Sequence, residues 1–79
     1  MKSHSFEEKV EMRAAVHIQI NELSRASSPE EIELGRNYLS AFIAEMSRND
    51  VISQIEKDEL SELLKIAESQ AGEGLAASN

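Results

Sequence analysis

Ser5 is followed three residues later by Glu8, Ser28 by Glu31 and Ser53 by Glu56. In such a capping box the serine oxygen accepts from the backbone N–H of the third helical residue, and the glutamate accepts in return from the serine N–H. Each pair stands before an apolar stretch of helical length, so together they mark three helix starts. Pro29 fits the second start, because the first helical residue has no use for its N–H. Glu30, Glu31 and Glu33 then lie near the positive end of that helix's macrodipole.

The pattern predicts helices over about 6–25, 29–47 and 54–70, in a single domain spanning 1–71. Ala71-Gly72-Glu73-Gly74 reads as a stop, and residues 72–79 read as a flexible tail. Ser24 to Ser28 and Ser47 to Asp50 read as turns. The fold class is therefore all-α, a small three-helix up-down-up bundle or a helical hairpin plus a third helix, because connections this short favour antiparallel neighbours. Val16 to Asn21 alternates apolar and polar like a strand, but the alternation is short. It lacks hairpin punctuation, and no second strand is evident to pair with it.

Helix one carries two apolar rows. Met12, Val16, Ile20 and Leu23 form the first; Phe6, Val10, Ala14 and Ile18 form the second, with Lys9, Arg13, His17 and Asn21 in a polar column between them. An outer helix of a globule needs one apolar stripe, so a second row calls for a second neighbour. Leu23 adjoins the turn that returns the chain, which assigns the first row to the protein's own core. Phe6, Val10 and Ile18, flanked by Arg13 and His17, are left as the candidate interaction surface. Helix two is the most apolar, with Ile32, Leu34, Tyr38, Leu39, Phe42, Ile43 and Met46 as its stripe. Gly35 within it is either a close helix crossing or merely tolerated. In helix three Ile55, Leu60, Leu63, Leu64 and Ala67 are expected inside, with Ile66 at the edge.

A chain of 79 residues buries only about 60% of its unfolded surface, and such domains usually need a disulfide, a metal or a partner. Cysteine is absent, which removes the disulfide and any thiolate site. Self-association is then the expected supplement, with a homodimer through helix one. No apolar signal core precedes the first charged segment, and the longest apolar-rich stretch, Leu39 to Ala44, is far too short to span a bilayer. A cytoplasmic, membrane-free protein is the expectation.

The formal net charge is −7. Residues 1–27 balance four bases against four acids, so the excess lies downstream. Phosphate contacts need clustered Lys and Arg, so direct nucleic-acid binding is not expected. An acidic surface could instead occupy a basic protein surface by mimicking nucleic acid, and this is the alternative reading.

Glu45 to Glu56 resembles the EF-hand calcium loop, with oxygen-bearing side chains at its first, third, fifth and ninth places, isoleucine at the eighth and glutamate at the twelfth. It departs from that loop where Glu45 replaces the leading aspartate and Asp50 the turn glycine. A turn followed by the Ser53–Glu56 cap explains the same residues, so no metal is expected. His4 and His17 share no metal or catalytic spacing with a carboxylate, and neither a catalytic group nor a cofactor is expected. Ser27 and Ser28, between Arg25 and Pro29, could accept phosphate at a helix start, but the cap accounts for Ser28 without it. The reading is of a non-enzymatic regulatory protein that acts by binding another protein.

Overall fold

A computed structural model of the chain describes residues 5–77. His4 and the last two residues of the expected tail lie outside them. The described residues form three helices and no strand: α1 is Phe6–Leu23, α2 is Pro29–Arg48 and α3 is Gln54–Ala77. The fold is all-α, and the Val16–Asn21 alternation lies within α1.

The caps set the starts. Ser5 Oγ accepts from Glu8 N–H at 3.1 Å, and Glu8 Oε1 accepts from Ser5 N–H at 2.8 Å. Ser53 and Glu56 repeat the exchange at 3.1 and 2.9 Å. The middle cap differs from the expected box. Ser28 Oγ accepts from Glu31 N–H at 3.2 Å, but Glu31 Oε1 takes the Ser27 N–H at 2.8 Å and the Ser27 hydroxyl at 3.0 Å. Ser27 offers two donors to one oxygen, where Ser28 N–H would offer one.

The ends depart further from the sequence reading. α1 stops at Leu23 instead of Arg25. Ser24 Oγ donates to Asn21 O at 2.5 Å, claiming the carbonyl that Arg25 N–H would use to continue the helix, and Arg25 N–H turns to Glu22 O at 3.0 Å. This is local competition between a serine hydroxyl and the backbone ladder. α2 ends in a Schellman pattern: Val51 N–H donates to Met46 O at 2.8 Å and Asp50 N–H to Ser47 O at 3.2 Å, with Asp50 left-handed at φ 58°. Val51 and Met46, the apolar pair that accompanies this motif, are both buried.

α3 does not stop at Gln70. It continues through Gly72 and Gly74 to Ala77, so residues 72–77 of the expected tail are helical. Each glycine costs the helix about 1 kcal/mol relative to alanine. Ala71, 1% exposed, and the half-buried Leu75 offset that cost where the end of α3 meets Ser24–Pro29 across an open depression of about 590 Å³.

One core joins the three helices and the second turn. Val16, Ile20 and Leu23 from α1 meet Leu39, Ile43 and Met46 from α2, and Leu60, Leu64 and Ala67 from α3, with Val51 and Ile52 closing one end. Burying side chains of this size contributes about 1.5–3 kcal/mol each. Gly35 marks a close approach of α2 to α1, since a Cβ there would lie 2.6 Å from Leu23 Cδ1. Ile55, expected inside, is 71% exposed. It lies five residues before Leu60, on the opposite side of α3 from the stripe that Leu60, Leu64 and Ala67 make, and Val51 and Ile52 fill the core at that level. Leu34 and Tyr38 also lie outside, although helix two's stripe was expected to bury them.

Candidate protein-interaction face

The first row of α1 is the row that enters the core. Val16, Ile20 and Leu23 are buried, and Met12 packs against them half-covered. The second row faces solvent: Phe6 is 76% exposed, Val10 43% and Ile18 60%, and Ala14 is exposed between them. These four stand at intervals of four residues, so they form one continuous ridge along the helix surface.

The polar column between the rows faces α3. Arg13 Nη1 lies 3.4 Å from Glu56 Oε2, both side chains about one-third exposed. Such a partly exposed pair is screened by solvent and adds little to stability, but it marks where α1 meets the start of α3. Glu56 also accepts from Ser53 N–H, and that bond, with the Arg13 charge beside it, holds its carboxyl below the usual range despite partial desolvation. Glu31 is lowered as well, by the backbone and hydroxyl donors of Ser27.

His17 is exposed and lines a shallow α1–α3 groove of about 280 Å³ with Leu63 and Ile66. Of the five residues singled out in helix one, Arg13 and His17 therefore turn toward α3, while Phe6, Val10 and Ile18 point away from the core. Leu63 and Ile66 belong to the same side of the molecule and are 40% and 48% exposed. Sequence reasoning placed Leu63 inside together with Leu60, Leu64 and Ala67. Spacing does not separate them, since Leu63 stands three residues after Leu60 and four before Ala67; the packed helices place it at the open α1–α3 edge of the stripe.

No protein-family model, no curated protein and no solved structure matches this chain. Its chemistry must be read from its own surface. Among the described residues no three His, Cys, Asp or Glu side chains converge as a metal site. In the calcium-loop-like segment the Glu45 carboxylate accepts from Arg48 at 2.6 Å and from Asn49 Nδ2 at 3.0 Å, while Ser53 and Glu56 are used in the cap. Among the described residues no helix is long and apolar enough to cross a membrane.

Proposed function

We propose that this chain is a small non-enzymatic, cytoplasmic regulatory protein that acts by binding another protein, as a homodimer assembled through α1. The observation that carries the reading is the exposed second row. Phe6, Val10 and Ile18 present large apolar side chains to solvent on the same helix whose first row packs inside. Apolar surface ordered in a continuous ridge gains by being covered, whereas singly scattered apolar residues need no partner.

The reading takes the subunit as an up-down-up bundle. Three separate meetings support this: Leu23 with Gly35, Arg36 with Glu68 at 3.7 Å, and Arg13 with Glu56. The first two join late residues of one helix to earlier residues of the next or the reverse, and the third joins the forward halves of α1 and α3. With a net charge of −7, the partner is a protein surface and not nucleic acid.

Light scattering after size exclusion tests the reading. At about 100 µM, where small interfaces hold, the protein should run at twice its 8.8 kDa, and Ile18→Glu should return it to monomer with native helical circular dichroism. A monomeric wild type whose binding to a basic protein falls steeply with salt would favour the acidic mimic instead.

A further inference from the structure

We infer that the partner on the α1 ridge is a second copy of this chain, its α1 running in the same direction and crossing at Ala14. This deepens the proposed homodimer and rests on it. Apolar residues are also exposed on α2, at Leu34 and Tyr38, and on α3, at Ile55, Leu63 and Ile66. Those patches stand among the acids that give the molecule its charge: Glu30, Glu31 and Glu33 near the first, Glu56, Glu59 and Glu62 near the second. A second copy meeting the α2 patch through a two-fold axis would set carboxylates against carboxylates, and the α3 patch shares its groove with Arg13 and His17, which also flank the α1 ridge.

The α1 ridge is different because its two flanks have opposite signs. The row on one side begins Lys9, Arg13, His17; the row on the other begins Glu7, Glu11. Glu7 and Glu11 are exposed, and Lys9 is half-exposed. Arg13 spends one guanidinium nitrogen on Glu56 and keeps its other donors for a partner.

A two-fold axis along the helices exchanges left and right while preserving height, so the basic flank of one α1 meets the acidic flank of the other. An axis across them reverses height and keeps the flanks on the same edge, which sets base against base. Opposite charges brought together fix register and orientation in this way. Ridges of i, i+4 residues interdigitate at a crossing of about −50°, and the small Ala14, midway between Val10 and Ile18, is where two backbones can approach most closely.

The absence of cysteine makes disulfide trapping in a glutathione buffer a direct test, with Val10→Cys, Ile18→Cys and, as a collisional control, Ile55→Cys. Circular dichroism verifies that each variant is folded, and light scattering gives the mass of the wild type. A dimeric wild type, with Val10→Cys forming a homodisulfide at least tenfold faster than Ile55→Cys, supports the assignment. So does an equimolar mixture of Val10→Cys and Ile18→Cys that yields only homodisulfides. A dominant mixed disulfide would overturn the orientation and leave the α1 dimer standing. Trapping no faster than the control, in a protein that is still dimeric, would move the interface off this ridge. A monomeric wild type would remove the homodimer itself.

Discussion

The two apolar rows of α1 have similar composition, run side by side and end in opposite environments. Val16 and Ile20 are sealed in the core; Val10 and Ile18, the same residue types on the neighbouring row, face water. Hydrophobicity therefore identifies a row without saying which way it faces. The choice is made where α1 touches its neighbours, at Leu23 against Gly35 and at Arg13 against Glu56. These contacts act as two points that fix the helix's rotation about its own axis.

The largest effect should separate the rows outright. Ile20→Glu puts an unpaired charge into the core, a cost that exceeds the stability available to a domain of this size, so it should abolish the cooperative thermal transition. Ile18→Glu leaves that core intact and, at protein concentrations low enough for the wild type to be monomeric, should keep the urea midpoint near wild type, within about 0.5 kcal/mol. Equal unfolding by both variants would show that the rows share one core.

A smaller effect tests the first fixing point. Leu23→Ala should cost about 2–4 kcal/mol as a buried leucine truncation. Gly35→Ala alone gains helix propensity but drives its Cβ against Leu23 Cδ1, 2.6 Å away, and should come out near neutral. In the Leu23→Ala background that clash is gone, and the same change should stabilise by about 1 kcal/mol. Denaturant melts of the four proteins give the coupling directly. Strict additivity would mean that Gly35 is only tolerated there.

What the sequence made legible follows from the range of the forces involved. The three starts are local, each settled within four residues by a serine and a glutamate, and α1, α2 and α3 begin where those pairs stand. The ends were less legible because they depend on contacts made elsewhere. Two glycines and an acid near the negative end of a helix dipole argue for a stop after Gln70, yet burial of Ala71 beside a turn some 45 residues earlier in the chain carries α3 past them. Glu31 reaching Ser27 instead of Ser28 is a choice between adjacent donors that spacing does not distinguish. The exposed ridge could be read from periodicity, given that Leu23 adjoins the turn. The opening between α1 and α3 around Leu63 required the packed helices.

The turn that brings α2 back against Leu23 supplies the next prediction. Ser28→Ala removes the oxygen that accepts from Glu31 N–H and should lower stability by about 1 kcal/mol. Ser27→Ala deletes the hydroxyl but leaves the Ser27 N–H bond to Glu31 intact, so it should cost less than half as much by urea denaturation. The reverse ranking would make Ser27 the residue that anchors this turn.

The smallest effect concerns the second fixing point, where Glu56 joins the cap of α3 to Arg13 of α1. Its carboxyl is held below the usual range by the Ser53 N–H and the Arg13 charge, so the ionised form is favoured by folding. A carboxyl whose folded-state pKa is lowered contributes stability that is fully present above its unfolded pKa and is lost as pH falls through the folded value. Wild type should accordingly lose urea resistance between neutral pH and the acid side of the ordinary carboxylate range. Glu56→Gln should lose less over the same interval, because its side chain has no proton to take up there. Arg13→Gln should fall between them, since it deletes the charge and retains the stronger Ser53 bond. An identical pH slope for wild type and Arg13→Gln would mean that Glu56 is no more than a local cap, and would leave Leu23 on Gly35 as the contact that decides which row of α1 faces in.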